Sequence, residues 1–222
     1  MKNLLISGSL GGLGSPMTDY FSSNGYQVLG TTSLSNTSAN SENIKYYPIN
    51  LMDENATHQL IEKLHKENTH LDAAILLVGG FAINNLSNAN LSDYEHMIKL
   101  NFFTAINIIN PVHKWLRETG GGDIFLIGSR PLFEGSSSEI LPYTLSKSLL
   151  LQLTFSLNES STENNVFTSL IVPGTIDTLV NRQQMPDADF TRWTKPQDII
   201  HEIHESIKQK DISLKKSVIK LY

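Results

Sequence analysis

Residues Ile6–Pro16 read ISGSLGGLGSP, a glycine cluster between an apolar run and an amphipathic one. Gly8, Gly12 and Gly14 give the spacing G-x-x-x-G-x-G. The run before them, Leu4–Ser7, reads as a strand, and the residues after them predict a helix through about Asn24. A glycine turn at that junction allows a tight reversal, close approach of backbone to a bound group, and helix amides aimed at negative charge. Such turns also serve as plain punctuation, so the rest of the chain decides the reading.

Outward from this turn, short apolar runs alternate with helical periods. Strands are predicted at Gln27–Thr31, Ile44–Ile49, Ala73–Val78, Asp123–Gly128, Val166–Val172 and Ser217–Leu221. Helices are predicted over Asp53–Glu67, Leu91 to about Leu116, Leu141 to about Glu159, and Pro196–Lys208. Strands such as AAILLV lack polar alternation, as expected where helices cover both faces of a parallel sheet. The pattern predicts one domain over residues 1–222, a three-layer α/β/α Rossmann fold with a doubly wound parallel sheet. The Ser- and Asn-rich stretch Ser33–Asn43 reads as a mobile loop. In this setting the glycine turn points to a dinucleotide whose pyrophosphate meets the first helix. Thr32 stands where strand two ends, the position at which an acid would bond a ribose 2′-hydroxyl. Neither an acid nor a basic residue is there, which leaves NAD against NADP open.

Composition narrows the function. The net charge of -5, with no basic face, argues against nucleic acid. The absence of cysteine excludes disulfides, thiolate catalysis and Cys-ligated zinc, and fits a cytoplasmic protein. The opening MKNLLISGSL has too short an apolar run for a signal peptide, and no stretch approaches the ~20 residues of a membrane span. His201 and His204 in HEIHE are three apart, unlike the H-E-x-x-H spacing, and read as helix surface; no metal site is expected.

PYTLSKS places Tyr143 and Lys147 at i and i+4, on one face of a helix. A phenol has a pKa near ~10, and a neighbouring ammonium would lower it toward use in proton transfer. Linked by a nicotinamide ribose, the pair would move a proton to or from an oxygen while hydride moves at the adjacent carbon. Ser129, in FLIGSRP, ends the fifth strand, where open parallel sheets bind ligands. Ser136, Ser137 and Ser138 are rival hydroxyls in the loop that follows. Asn101, in MIKLNFF, interrupts an apolar helix and needs partners, supplied either by core groups or by backbone and a water chain.

The glycine spacing, Asn101, Ser129, Tyr143 and Lys147, in this order and across the whole chain, resemble the short-chain dehydrogenase/reductase family. The resemblance implies Tyr143 as acid/base, Ser129 as binder of the substrate oxygen, Lys147 as ribose ligand and pKa shifter, and Asn101 as support for a relay water. It implies NAD(P)H as cofactor, a small-molecule substrate and a homodimer or homotetramer. Gly8, Leu10, Gly12, Leu13, Gly14, Thr32, Asn50, Leu51, Gly79, Gly80, Pro173, Gly174, Ile176 and Thr178 fall at cofactor-contacting positions. Two positions depart from the pattern: Val78–Gly80 reads VGG for the usual N-A-G, and Asn50 replaces an Asp that meets adenine.

The run GTIDTLVNRQQMPDADFTRW, Gly174–Trp193, is similar to the corresponding run of dihydropteridine reductases, and GGF at Gly79–Phe81 to their G-G-W. This implies reduction of a quinonoid dihydropterin-like substrate. Ser129 and Asn101, absent from those enzymes, point instead to a carbonyl reductase of the same family. A non-catalytic dinucleotide sensor is the reading of another class; Tyr143, Lys147 and Ser129 argue against it. The segment Val172–Pro196 carries no sustained period and is expected to be a lid over the substrate or a structural cover anchored by Phe190 and Trp193. Phe81, Arg182, Phe190 and Trp193 are candidate substrate contacts; for Arg182, a salt bridge to Asp187 or Asp189 is the alternative.

Overall fold

The computed structural model describes residues 2–36, 38–135 and 137–222. Seven strands among them form one parallel sheet: β1 (Lys2–Ser7), β2 (Tyr26–Thr32), β3 (Ile44–Pro48), β4 (Ala73–Leu76), β5 (Gly122–Ile127), β6 (Val166–Pro173) and β7 (Val218–Leu221). Their order is β3-β2-β1-β4-β5-β6-β7, so the winding reverses between β1 and β4, as a doubly wound sheet requires. The sequence expectation of a three-layer Rossmann-type α/β fold holds.

Helices cover both faces. On one side, α1 (Gly14–Ser23) and α8 (Pro196–Lys208) pack Met17, Phe21, Ile199, Ile203 and Ile207 against Leu4 and Ile6 of β1. On the other, α2 (Glu54–Glu67), α4 (Thr104–Glu118) and α5 (Leu141–Asn158) bring Ile61, Leu64, Ile108, Trp115 and Leu150 against Leu5 and Leu126. Successive residues of β1 therefore serve opposite cores, which is why its apolar run is unbroken. Helix starts follow local chemistry. Asp53 caps α2 by accepting from the Ala56 amide at 2.9 Å, and Asn90 with Asp93 forms a capping box on α3 (Leu91–Ile98). Pro142 and Pro196 sit in the first turns of α5 and α8, where no amide is lost. A short α6 (Ser161–Asn164) precedes β6.

Beyond small shifts at other element ends, three departures from expectation bear on the site. β4 ends at Leu76, not Val78, because the Ser7 hydroxyl accepts the amides of Leu77 at 3.0 Å and Val78 at 3.4 Å in place of a strand carbonyl. The helical stretch from Leu91 is not uniform: a π-helical turn, Lys99–Phe103, separates α3 from α4 and carries Asn101. The segment after β6 is not wholly irregular, for it contains α7 (Leu179–Gln184) and a 3₁₀ turn, Phe190–Arg192.

Candidate active site

The glycine turn follows β1 at the winding reversal. Gly8 has φ +68°, a left-handed conformation, and its carbonyl accepts the Gly11 amide at 2.9 Å. A Cβ on Gly14 would lie 2.0 Å from the Gly8 carbonyl oxygen, so helix and turn close on each other only with glycine there. Leu13 anchors the turn in the core, and Leu10 is half-buried. α1 begins without a side-chain cap; the Ser15 and Met17 amides donate to the Gly11 and Leu13 carbonyls, which leaves those of Gly12, Leu13 and Gly14 for a bound anion. Ser9, which sequence reasoning passed over, is wholly buried; its amide and hydroxyl both donate to the Thr31 carbonyl, at 3.0 Å each. Gly30 makes room for it, since a Cβ there would be 2.5 Å from the Ser9 hydroxyl.

Thr32 closes β2, and its hydroxyl donates to the Asn36 carbonyl at 3.0 Å. Asn50 accepts from the Met52 amide, and the buried Leu51 is held by Asn107, whose amide donates to its carbonyl at 2.9 Å. A cleft of about 430 Å³ beside β3 is lined by Leu34, Tyr46 and Asn50 among others, and includes none of Asn101, Ser129, Tyr143 and Lys147.

Those four lie together beyond the C-terminal ends of β4 and β5. Lys147 is buried and donates to the Ile127 carbonyl at 2.9 Å; burial, with no carboxylate to offset it, lowers its pKa to about 8. Its ammonium lies 5.9 Å from the centre of the Tyr143 ring. Tyr143 departs from expectation: its pKa is raised, not lowered. Burial dominates, and Lys147, turned toward a backbone carbonyl, contributes no lowering. The Ser129 Oγ is buried with no partner of full hydrogen-bond geometry, yet faces the Tyr143 phenol closely enough to oppose the rise. Of the rival hydroxyls, Ser138 is exposed and Ser136 lies outside the described residues.

Asn101 is wholly buried in the π turn. Its Oδ1 accepts the Gly80 amide at 2.9 Å, and its Nδ2 donates to the Gly80 carbonyl at 3.1 Å and to Ser146 at 3.0 Å. Gly79 lies against it: a Cβ there would be 2.5 Å from Asn101 Oδ1 and 3.1 Å from Lys147 Nζ. Phe81 follows at once, its ring edge-on to Tyr143 with centres 5.0 Å apart and half its surface free.

Beyond β6, Gly174 donates to Leu221 and Thr194, and Ile176 pairs with Thr194, which pins the base of the segment. Thr178 caps α7 and meets the glycine turn, lying 3.1 Å from where a Gly12 Cβ would be. Arg182 pairs with Asp177, at 2.5 and 2.8 Å, and not with Asp187 or Asp189. Asp177 sits just before α7, across its first turn from Arg182. The guanidinium covers Phe190 at 4.7 Å, and Phe190 packs on Trp193 at 4.7 Å. Of the four candidate substrate residues, only Phe81 is seen against Tyr143; the other three engage one another. The Asp177 partnership and the Ser146 hydroxyl were not read from sequence, since neither spacing carries a motif.

A dinucleotide fits these groups. The glycine turn leaves no room for side chains, the Gly12, Leu13 and Gly14 amides are open, and Lys147 and Ser129 retain bonding capacity. Comparison with known proteins agrees. A family model described as short chain dehydrogenase matches residues 2–189. The chain is 25% identical over 210 residues to a dihydropteridine reductase of Dictyostelium discoideum, covering 92% of this chain and 87% of that one. It is 26% identical over 219 residues to the short chain dehydrogenase adrF of Penicillium roqueforti, covering 95% and 84%. Its fold matches that of ElxO with NADP bound at a TM-score of 0.88, with 20% identity over 99% of this chain and 96% of that one. Among the described residues, no helix is long and apolar enough to cross a membrane. The chain belongs to the short chain dehydrogenase family, a family of NAD(P)-dependent oxidoreductases.

Proposed function

We propose that this oxidoreductase reduces a quinonoid dihydropterin-like or other cyclic conjugated small molecule, with Tyr143 as the acid/base. The observation that carries the site assignment is the buried, unpartnered Ser129 hydroxyl facing the Tyr143 phenol. A substrate oxygen between them would accept from both. Burial keeps Tyr143 protonated and able to donate. Lys147 would hold the cofactor ribose, and Asn101 would support a relay water through the backbone of its π turn. Gly8, Gly12, Gly14 and the α1 amides would take the pyrophosphate, and Pro173–Thr178 the carboxamide end. NAD(P)H supplies the hydride when bound. The pterin-like class is supported by the exposed face of Phe81 beside Tyr143, on which a flat ring can pack, and by the dihydropteridine reductase similarity.

A second reading, reduction of a ketone or aldehyde, is favoured by Ser129 and Asn101 both being present. Oxidation of NADH and NADPH with quinonoid dihydropterin and with a panel of carbonyls separates the two. Carbonyl turnover without pterin turnover removes the first; tight cofactor binding without turnover leaves only the sensor. The same proposal includes one domain, a cytoplasmic location and a homodimer or homotetramer. Exposed Phe103, Leu145 and Leu149, in the π turn and on α5, support the assembly.

A further inference from the structure

Ser146 precedes Lys147 on α5 and is wholly buried. Its hydroxyl donates to the Tyr143 carbonyl at 2.6 Å and accepts from Asn101 Nδ2 at 3.0 Å. The remaining Nδ2 hydrogen serves the Gly80 carbonyl, and Met97 Sδ, 3.8 Å away, is the weak alternative acceptor. Both amide hydrogens of Asn101 are therefore engaged, and one depends on Ser146. Without that hydroxyl, a buried N–H would face a thioether, and rotation of the carboxamide would release the Gly80 backbone. Gly79 transmits any such movement, because Asn101 Oδ1 and Lys147 Nζ both crowd the space where its side chain would be. Phe81, next along, touches Tyr143.

We propose that Ser146 is a positioning residue whose hydroxyl sets the Asn101 carboxamide, and through it the Gly79–Phe81 segment, against Lys147 and Tyr143. It touches no reacting atom itself. Its catalytic consequence rests on the assignment of Tyr143 and Lys147 in the proposed function; its structural consequence does not.

The test compares wild type, Ser146→Ala, Ser146→Cys, Asn101→Ala and the Asn101→Ala/Ser146→Ala double variant. Amide hydrogen exchange is read at Gly80 and in β1 and β5. In Ser146→Ala, Gly80 should exchange roughly tenfold faster or more while β1 and β5 keep their protection, with Ser146→Cys in between. In turnover with NADPH and the best substrate of the panel, Ser146→Ala should lower kcat roughly tenfold and change KM for NADPH less than about twofold. The double variant should be no worse than Asn101→Ala alone. Unchanged Gly80 exchange, equal loss of protection across the sheet, or losses in kcat that multiply in the double variant would each overturn the proposal. If wild type turns nothing over, the proposed function fails, and the exchange measurement still decides the role of Ser146.

Discussion

The carboxamide of Asn101 clasps the backbone of Gly80 from both sides, accepting its N–H at 2.9 Å and donating to its carbonyl at 3.1 Å. This bears on the departure at Val78–Gly80. The chain lacks an Asn at residue 78; after β4, the Ser7 hydroxyl holds the amides of Leu77 and Val78, and Asn101 holds Gly80 from across the site. Gly79 is the condition for it, since a Cβ would stand 2.5 Å from Oδ1. Gly79→Ala should therefore destabilise by about 1–3 kcal/mol, the usual cost of overpacking. Asn101→Ala should relieve part of that cost in the double variant. Thermal melts of the four proteins check it; additive losses would show that the two residues do not share this space.

Lys147 gives a stability prediction of unusual sign. Its folded pKa of about 8 lies below the ordinary lysine value, so the unfolded chain binds more protons between about pH 8 and 10.5. Its penalty is full below pH 8 and fades as pH rises through that window. In the absence of cofactor, Lys147→Met should be more stable than wild type by roughly 2–3 kcal/mol at pH 7, and the gap should narrow by pH 10. Urea unfolding of both proteins across this range reads it directly. A gap independent of pH would mean that packing, not charge, separates them. Turnover should be lost in the same variant.

Arg182 is a strut of the segment after β6. Its fork holds Asp177 and its face covers Phe190, so Arg182→Ala should loosen residues 179–193 and leave the sheet intact. Limited proteolysis should cut this segment faster at unchanged melting temperature, with KM for substrate raised more than kcat is lowered. Unchanged proteolysis with lost turnover would make Arg182 a substrate ligand.

Much of this was legible in the residues. Apolar runs buried on both faces, such as Leu4–Ile6, mark a parallel sheet in any sequence, and Gly8 and Gly14 announced a turn with no room for side chains. Tyr143 and Lys147 were legible because helical spacing fixes their common face. What escaped depended on contacts distant in the chain. The π turn at Lys99–Phe103 is a register change without a compositional mark, and the Ser146–Asn101 bond joins residues 45 apart. The direction of the Tyr143 pKa is not legible in the spacing, which predicts a neighbouring ammonium but not that it bonds the Ile127 carbonyl, nor that burial raises the phenol's pKa. Asp177 as partner of Arg182 required α7 itself, which the polar run Asn181–Gln184 conceals.

The central claim is that Tyr143 moves the proton. The most direct measurement is steady-state carbonyl reduction by wild type and Tyr143→Phe, with NADPH dissociation constants measured on the same preparations. The account predicts a loss in kcat of roughly 10²–10⁴-fold with cofactor affinity nearly unchanged, and a smaller loss with a pterin, whose ring asks less of a proton donor. Because burial raises the phenol's pKa, wild-type reduction should persist into alkaline solution and fall only as the phenol ionises. Full carbonyl turnover by Tyr143→Phe would contradict the account.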